Sequence, residues 1–383
     1  MTQKTTVQAG GEDWRGLVLR SCITAAGELR IALTEQATGV PATNEVVVRV
    51  EAAPINPTDM GLLFGPADLS AARLEGTVRQ PVLVAPVPPA ALPFVALRID
   101  QPLPAGVEGA GVVVAAGPGQ EALLGKTVAM IGDGAYAQYR RIAVTDILVL
   151  PDGTSPAEGA AALVNPLTVL GLLETARRNG HKAIVHTAAA SSVGKMLIRA
   201  CRQDGVPLVN IVRRDDQVAE LRALGAEHVC SSAAPDFRQD LALALAATGA
   251  TACFDAVGGA LTGRILGAME AAASQQATRY SRYGTNVLKQ AFVYGALDRA
   301  PIEISRIVGL NWSVSGWLLF DFLQQTDAAT QARLRQRVCD ELHTTFATSY
   351  AATISLADAV QPRTVAAYME KRSGVKYLIN PQL

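Results

Sequence analysis

Residues 183–196 read AIVHTAAASSVGKM, and this stretch is the best single guide to the fold. Its first five residues form a short apolar run typical of a buried strand, and Val193–Arg202 has the pattern of a helix. The later predicted strands are Leu208–Val212, Glu227–Cys230, Ala252–Ala256, Ala291–Gly295 and Asn311–Gly316, with helices at Asp215–Leu224, Phe237–Ala247 and Leu261–Ala273. Strands that alternate with helices predict βαβ units and a parallel sheet, which is an α/β fold.

The chain on either side of this segment has a different pattern. Residues 1–150 contain short β segments such as Glu45–Glu51, separated by glycine and proline turns, which predicts a compact β barrel or sandwich. Residues 320–383 are predicted to be helical through Ala328–Phe346 and to end in a strand at Lys376–Ile379, and they are too few for a large core of their own. We therefore expect two domains, one of 1–150 with 320–383 and one of 151–319.

The composition limits the classes of partner. The chain has 34 basic and 34 acidic side chains, and this balance argues against a nucleic-acid-binding surface and a polybasic membrane anchor. The polar N-terminus, Met1–Gly10, lacks the apolar core of a signal peptide. The uncharged stretch Gln80–Leu97 contains five prolines, so it is not predicted to span a membrane. We expect a soluble cytoplasmic protein without nucleic-acid or membrane partners.

The cysteines and histidines do not predict a metal site or a disulfide framework. The five cysteines lie far apart, so the chain lacks the close ligand pairs of structural zinc sites, and their odd number fits disulfides poorly. The four histidines include no His-Glu-x-x-His pair. We predict no bound metal, and we interpret His186, on the first strand, as a buried core or cleft residue.

The turn after the first strand has features of a dinucleotide-binding loop. Such a site needs small residues, so that the backbone approaches a pyrophosphate, and a helix N-terminus directed at it. The spacing G-x-G-x-x-G falls on Ala189, Ser191 and Gly194, of which only the last is glycine. The pattern alone also fits a small-residue turn in any α/β protein. The strand before it and the helix after it favour the dinucleotide interpretation.

The end of the second strand indicates which dinucleotide binds. An NAD site usually has an acidic residue here for the ribose hydroxyls, whereas a guanidinium binds a 2′-phosphate. The strand LVNIV runs into Arg213 and Arg214, and Arg213 lies 19 residues beyond Gly194. The following Asp215 and Asp216 are explained as acidic groups at a helix N-terminus. We predict NADP(H); the alternative is that both arginines are solvated at the helix entry.

Nine short motifs, taken in order, resemble the zinc-independent branch of the medium-chain dehydrogenase/reductase superfamily. They are INPTD (55–59), GVEGAG (106–111), YAQY (136–139), NPLT (165–168), AAASSVG (188–194), NIVRR (210–214), LGA (224–226), DAVGG (255–259) and YG (294–295). Within that superfamily the chain resembles the quinone oxidoreductases and the 2-enoyl thioester reductases, over nearly its whole length. The serine-containing loop and the NIVR strand end are more like the enoyl reductases.

The resemblance implies a GroES-like catalytic domain, 1–150 with 320–383, and a Rossmann domain, 151–319, with the active cleft between them. It implies that Thr168 lies beside the nicotinamide and Lys376 near the cofactor; a strand-edge charge is the alternative for Lys376. The other implied cofactor-binding residues are Ala189, Ser191, Ser192, Val193 and Gly194 at the pyrophosphate, Arg213 and Arg214 at the 2′-phosphate, and Asp255, Val257, Gly258, Tyr294 and Gly295 at the cofactor edge. Relatives commonly form homodimers through an edge strand, here about 311–316.

The chain departs from the family at the catalytic positions. Zinc alcohol dehydrogenases carry a cysteine at Asn56 or its neighbours and a histidine at Val107, so a metal is not expected. Asn56 and Asp59 are candidate catalytic residues of the cleft; the alternative is a proline-bounded turn that shapes its wall. The enoyl reductases place a tyrosine shortly after this motif, where this chain has none. An insertion of about residues 68–101 follows, and its proline-rich part, 81–93, is expected at the surface.

A phenol from elsewhere is the proposed substitute for that tyrosine. Tyr283 is the first candidate and Tyr280 the second, and the alternative for both is packing or a surface turn. The implied reaction is hydride transfer from NADPH to a quinone, or to a carbon–carbon double bond conjugated to a carbonyl, without a metal. The alternatives are a non-catalytic NADPH-binding protein, like lens or RNA-associated relatives, and a zinc-free alcohol dehydrogenase.

Overall fold

A computed structural model describes residues 13–370 and 376–383, so the prediction for Met1–Gly10 lies outside the described residues. The first elements are β1 (Arg15–Ile23), β2 (Glu28–Ala37), β3 (Glu45–Pro54), α1 (Asp59–Leu63), β4 (Arg73–Gly76), β5 (Pro81–Pro86), β6 (Leu103–Pro104), β7 (Glu108–Ala116), β8 (Thr127–Ile131), β9 (Tyr139–Ala143), β10 (Ile147–Val149) and α2 (Pro156–Gly159). There follow α3 (Val164–Arg178), β11 (Ile184–His186), α4 (Ser192–Asp204), β12 (Leu208–Val212), α5 (Asp215–Ala223), β13 (His228–Ser231), α6 (Phe237–Thr248), β14 (Ala252–Asp255), α7 (Gly259–Gln275), β15 (Lys289–Val293), β16 (Trp312–Gly316) and α8 (Leu319–Gln324). The last elements are α9 (Ala328–Asp340), β17 (Ala352–Ile354), α10 (Pro362–Met369) and β18 (Tyr377–Ile379).

The described residues divide into two compact units. One contains the chain up to Val164 and from Arg337 onward, and the other is Asn165–Gln336. Both boundaries lie further along the chain than the expected 150 and 320. At the second boundary α8 and α9 contact α3: the Arg178 guanidinium on α3 lies over the Phe322 ring on α8, and Arg333 Nη2 on α9 lies 3.3 Å from the Glu174 carboxylate on α3.

The first unit contains two sheets of mostly antiparallel strands. One has the order β4-β5-β2-β1-β6, and the other has the order β10-β8-β7-β3-β18-β17, with β9 also paired to β3. The valine-rich β3 is central, and Val46, Val47 and Val48 are fully buried. The C-terminal strand β18 pairs antiparallel with β3, with Leu378 opposite Pro54.

The segment 68–101 contributes two strands to the first sheet, which corrects the expectation of a surface excursion at 81–93. The strand β5 pairs antiparallel with β2, and residues 83–85 are fully buried. Its two prolines stand at the strand ends, where a missing N–H group is tolerated. The residues that follow the strand are at the surface, with Phe94 89% and Leu97 100% exposed.

The second unit contains a parallel sheet of six strands in the order β13-β12-β11-β14-β15-β16. Every strand pairing within it is parallel. The strand order reverses between β11 and β14, and in such doubly wound sheets ligands bind outside the carboxyl ends at this switch point. The predicted α/β fold, with a β-rich first unit and a doubly wound parallel sheet, is confirmed.

The core of the second unit lies between the sheet and the helices α6 and α7. Strand residues such as Val185 and Ile211 pack with Leu241 on α6 and Leu266 on α7. In the part of the chain that the structure describes, residues 156–178 are long and apolar enough by composition to cross a membrane. Within their apolar window 83% is buried inside the protein, as in a core helix.

Candidate functional site

The turn between β11 and α4 brings two backbone segments very close together. Ala188 has a positive φ of 50°, and the Ser191 side chain caps α4 by accepting a hydrogen bond from Gly194 N at 3.2 Å. A Cβ on Gly194 would lie 2.1 Å from the carbonyl oxygen of Ala189, so this third motif position requires glycine. Ala189 itself is fully buried and packs inside the turn.

The first turn of α4 has two backbone donors without acceptors. Among the described residues, the N–H groups of Ser192 and Val193 have no hydrogen-bond partner. They lie just beyond the carboxyl end of β11, beside the switch point. Such N–H groups, together with the positive end of the helix dipole, form an anion site.

The two arginines after β12 differ in their partners. Arg214 Nε lies 3.0 Å from the Asp216 carboxylate. The guanidinium of Arg213 is exposed and makes no hydrogen bond or ion pair with any described residue. Because β12 and β11 are neighbours in parallel register, Arg213 follows the strand end next to the α4 turn. Arg213 is therefore better placed than Arg214 to bind a further phosphate.

Sequence patterns alone did not single out Lys195, which directly follows the loop. Its ammonium group pairs with the Glu220 carboxylate on α5. This ion pair joins the helix that begins at the turn to the helix that follows the arginines. The only signal in the sequence was the position of the lysine immediately after Gly194.

Asp255 organises the turn after β14 from inside the protein. Its fully buried carboxylate accepts hydrogen bonds from the hydroxyls of Thr187 (2.7 Å) and Thr262 (2.6 Å), and from the N–H groups of Val257 (2.8 Å) and Gly258 (3.1 Å). The side chain is thus occupied by protein groups. Its contribution at this end of the sheet is to fix the backbone of Val257 and Gly258.

A histidine and a tyrosine meet across the carboxyl end of the sheet. His186 ends β11 and Tyr294 follows β15, with β14 between the two strands. His186 Nε2 lies 2.6 Å from Tyr294 Oη, and the rings stack with centroids 5.9 Å apart. Burial lowers the pKa of His186 to about 4, although Asp255 acts in the opposite direction. The imidazole is therefore neutral at physiological pH.

Two further predicted residues belong to the second unit. A Cβ on Gly295 would lie 2.8 Å from the carbonyl oxygen of Ala256, so the backbone after β15 runs close against the turn after β14. Gly295 therefore lies at the carboxyl end of the sheet with Tyr294. Thr168 is buried on α3, and its position beside a nicotinamide stays a prediction.

In the first unit, Asp59 is the centre of a buried hydrogen-bond group. Its carboxylate accepts from Tyr136 Oη at 2.7 Å and from the N–H groups of Asn56 and Val107 at 2.8 and 3.0 Å. Burial raises the pKa of Asp59 to about 6, against the effect of these hydrogen bonds. Three chain segments meet at this carboxylate, which favours the interpretation of Asp59 as part of a structural turn.

Asn56, Glu108 and Lys376 form a second buried group in the same unit. Asn56 Nδ2 donates to Glu108 Oε1 at 3.0 Å, and Lys376 Nζ lies 3.8 Å from the same oxygen. Burial raises the pKa of Glu108 and lowers that of Lys376, and their opposite charges act against both shifts. Lys376 Nζ and Asn56 Oδ1 have no hydrogen-bond partner among the described residues. The group thus leaves one donor and one acceptor unused in the interior of this unit. Glu108, in the GVEGAG motif, was not among the predicted residues.

The structure places Tyr283 at the other end of the six-stranded sheet, which corrects its prediction as a catalytic phenol. Its carbonyl oxygen accepts a hydrogen bond from Leu310 N at 3.1 Å, and these residues precede the starts of β15 and β16. Tyr283 is 61% and Tyr280 94% exposed. Because dinucleotides bind at carboxyl strand ends, both tyrosines are at the wrong end to face one.

The described residues contain no group of three or more His, Cys, Asp or Glu side chains that could hold a metal ion. All five cysteines are free thiols. Cys201, Cys230 and Cys253 are buried, and Cys22 and Cys339 are partly buried. Burial raises the pKa of the Cys230 thiol to about 11, so it is protonated and unreactive at neutral pH.

No family model matches the chain. Two mitochondrial enoyl-[acyl-carrier-protein] reductases are similar in sequence. The Arabidopsis thaliana protein is 28% identical over 272 residues, covering 68% of this chain and 60% of that protein. The Xenopus tropicalis protein is 27% identical over 315 residues, covering 78% of this chain and 77% of that protein. The chain thus spans less than two thirds of the length of the Arabidopsis relative.

A solved structure described as a putative NADPH:quinone reductase from Mesorhizobium loti superposes with a TM-score of 0.71 at 24% identity. The alignment covers 96% of this chain and 98% of that one. The chain has the medium-chain reductase fold. The resemblance to quinone oxidoreductases and enoyl thioester reductases that the motifs indicated is confirmed. In doubly wound sheets ligands bind at the switch point, which in this chain lies between β11 and β14.

Proposed function

We propose that the chain is an NADPH-dependent oxidoreductase that transfers hydride to a quinone or to an α,β-unsaturated carbonyl or enoyl acceptor, without a metal. The observation that carries this proposal is the set of donors at the carboxyl end of the six-stranded sheet. Two backbone N–H groups at the start of α4 and the guanidinium of Arg213 are free of protein partners at neighbouring strand ends.

This donor set fits NADP(H). The N–H groups of Ser192 and Val193 would hold the pyrophosphate, and the absence of a Cβ at Gly194 keeps the turn tight enough for the backbone to approach it. Arg213 would bind the 2′-phosphate. Arg214 would contribute less, because Asp216 already neutralises it. When bound, NADPH supplies the hydride.

The remaining predicted residues would line the nicotinamide half of the cofactor. Tyr294 and Gly295 follow β15, and the turn fixed by Asp255 presents Val257 and Gly258 at the next strand end. Thr168 on α3 would contact the same ring. These side chains and backbone groups would orient the ring and exclude water from it.

The acceptor class is supported by the names of similar proteins and by the catalytic positions of this chain. The relatives are named enoyl reductases, and the structural neighbour a quinone reductase. By the resemblance, zinc dehydrogenases carry a cysteine at Asn56 or its neighbours and a histidine at Val107, so in this chain hydrogen-bond donors would polarise the carbonyl of the substrate instead. Asn56 stays the candidate catalytic residue of this group, with its Oδ1 buried and unpaired among the described residues.

We further propose a cytoplasmic homodimer. The strand β16 is the end strand of the six-stranded sheet, so one of its edges carries unpaired backbone groups that a second copy would pair. Light scattering after size-exclusion chromatography measures the mass. A monomer of 40.1 kDa at micromolar concentration would contradict the dimer.

The test of the function has two stages. Titration of the purified protein with NADPH and NADH should give at least about tenfold tighter binding of NADPH, because a guanidinium–phosphate pair is available only to it. Oxidation of NADPH is then followed with phenanthrenequinone and with a short 2-enoyl thioester. Equal affinity for NADH would contradict the cofactor assignment. If the protein binds NADPH but reduces no quinone, enone or enoyl thioester, the result would support the alternative of a non-catalytic NADPH-binding protein.

A further inference from the structure

The hydroxyl of Tyr294 is the donor at the dinucleotide end that the proposed function has not yet used. Tyr294 is only partly buried, and its side chain reaches from the end of β15 across β14 to His186 at the end of β11. It therefore lies over the switch point of the sheet. Sequence spacing gives no sign of this pair, because the two residues are 108 positions apart.

The hydrogen-bond inventory of His186 decides which group of the pair donates. A neutral imidazole has one N–H group and one acceptor nitrogen. His186 Nδ1 is buried without a partner among the described residues. A hydrogen on Nδ1 would be a buried unpaired N–H, which is rarer in proteins than an unpaired acceptor. The favoured tautomer therefore carries its hydrogen on Nε2 and donates it to Tyr294 Oη.

The hydrogen of the Tyr294 hydroxyl then has no acceptor among the described residues. We propose that this O–H donates a hydrogen bond to a carbonyl oxygen of the reactants bound at this end of the sheet, and that His186 is the positioning residue that directs it. The oxygen belongs either to the nicotinamide carboxamide or to the carbonyl of the acceptor. The inference rests on the proposed function, since it takes NADPH and a carbonyl-bearing acceptor as ligands.

The surroundings make Tyr294 a permanent donor rather than a source of protons. Burial raises the pKa of Tyr294, and nearby Asp255 and Cys253 raise it further, so the hydroxyl keeps its hydrogen at working pH. If the Tyr294 hydroxyl donates a hydrogen bond to the carbonyl of the hydride-accepting substrate, it would stabilise the negative charge that hydride transfer places on that oxygen. A donor to the carboxamide would instead fix the orientation of the ring.

The test is Tyr294→Phe, which removes the hydroxyl and keeps the ring. If the hydroxyl donates to the carboxamide, the Kd of NADPH should rise about 3- to 10-fold. The Kd of adenosine 2′,5′-bisphosphate, which lacks the nicotinamide, should not change. If the hydroxyl donates to the carbonyl of the hydride-accepting substrate, the Kd of NADPH should not change and kcat should fall about 10- to 100-fold. Wild-type values for both the NADPH Kd and kcat overturn the proposal.

Variants of His186 separate positioning from packing. His186→Gln keeps an N–H that can donate to Tyr294 Oη, whereas His186→Leu does not. We expect the glutamine variant to stay near wild type and the leucine variant to fall to the level of Tyr294→Phe. If folded His186→Gln and His186→Leu change the Kd of NADPH and kcat equally, the positioning role of His186 is overturned. Tyr283→Phe, at the other end of the sheet, is the matched control and should change nothing; circular dichroism confirms folding of each variant.

The tautomer of His186 can be measured in the wild-type protein, without a variant. Long-range proton–nitrogen NMR correlations of the isotope-labelled protein should show neutral His186 with its hydrogen on Nε2. A hydrogen on Nδ1 would overturn the inference. Failure of the proposed function would appear as a wild-type protein that does not bind NADPH, or that binds it and reduces no quinone, enone or enoyl thioester. Failure of this inference would appear only in the variants or the tautomer of a protein that binds it.

Discussion

The two ends of the six-stranded sheet use their polar groups differently, and two histidines show how. His181, before β11, has both ring nitrogens paired, Nδ1 with Thr251 Oγ1 at 2.8 Å and Nε2 with Gln290 Oε1 at 2.7 Å. His186, at the other end of the same strand, has a partner only for Nε2. Polar groups that satisfy one another hold the amino end together. At the carboxyl end, the N–H groups of Ser192 and Val193 and the guanidinium of Arg213 have no partner among the described residues.

The amino end also contains a fully compensated buried charge. Lys289 is completely buried; its ammonium pairs with the Glu270 carboxylate and donates to Val287 O at 2.9 Å. Glu270 also accepts from the N–H and the hydroxyl of Thr285, at 2.6 and 2.8 Å. A surface cavity of about 1050 Å³ opens beside this end. The cavity therefore lies at the amino end, and the unused hydrogen-bonding groups lie at the carboxyl end, where we propose that the ligand binds.

Lys289→Ala should have the largest effect and should affect stability alone. It leaves the Glu270 carboxylate buried without its cation, which typically costs about 3–5 kcal/mol of unfolding free energy. Urea denaturation measures the loss, and Lys182→Ala, at an exposed lysine before β11, is the control. The Kd of NADPH for the folded variant should equal that of the wild type. A large rise in that Kd would remove the distinction between the two ends.

A pH dependence should come next in size. Below its ordinary pKa of 6.5 an unfolded His186 binds a proton that the folded protein, with a pKa of about 4, does not. Stability is therefore complete above about pH 6.5 and falls by about 3 kcal/mol as pH drops towards 4. His186→Gln should flatten this part of the curve in urea denaturation at a series of pH values. An unchanged slope in that variant would assign the dependence to other groups.

Arg213→Ala should act on ligand binding and leave stability unchanged. Loss of a charged hydrogen bond to the 2′-phosphate should raise the Kd of NADPH about 10- to 100-fold, and that of NADH much less. Arg214→Ala is the matched comparison and should have a smaller effect, because Arg214 is paired with Asp216. Equal losses of affinity for NADPH and NADH would show that Arg213 does not bind the 2′-phosphate.

Ser191→Ala should give the smallest effect. It removes the cap of α4, which accepts from Gly194 N, and should cost about 1 kcal/mol of unfolding free energy. Ser191→Thr keeps a hydroxyl and should recover most of the loss. Urea denaturation compares the three proteins. A drop of several kcal/mol would show that the turn depends on this hydroxyl for more than helix capping.

The sequence predicted the parts of the fold that depend on local patterns. The run LVNIV at 208–212 coincides with β12, because five apolar or buried residues between turn signals leave little choice. The strand β5 was missed because its flanking prolines hid a buried apolar run whose partner, β2, lies some fifty residues earlier. Pairing at that separation cannot be read from local composition.

As with the fold, only those parts of the candidate site that depend on local sequence patterns could be predicted. The strand–turn–helix pattern identified Gly194 and the donors near it, because such a loop is local in sequence. The difference between Arg213 and Arg214 could not be predicted, since it depends on which side chain reaches Asp216. Asp59 resembled a cleft residue in the motif, and only its three hydrogen-bond donors show that it ties segments together. The contact between His186 and Tyr294 could not be predicted either, because it depends on the order of the strands in the sheet.

The carboxylate of Asp255 has one more consequence. It holds the N–H groups of Val257 and Gly258 and the hydroxyls of Thr187 and Thr262 in one network, so protein groups alone fix the turn after β14. A ligand that docks on a rigid turn loses only its own freedom, and little conformational entropy of the protein is lost on binding. A cofactor bound at this edge, as we propose, would meet a turn that is already formed when the chain folds.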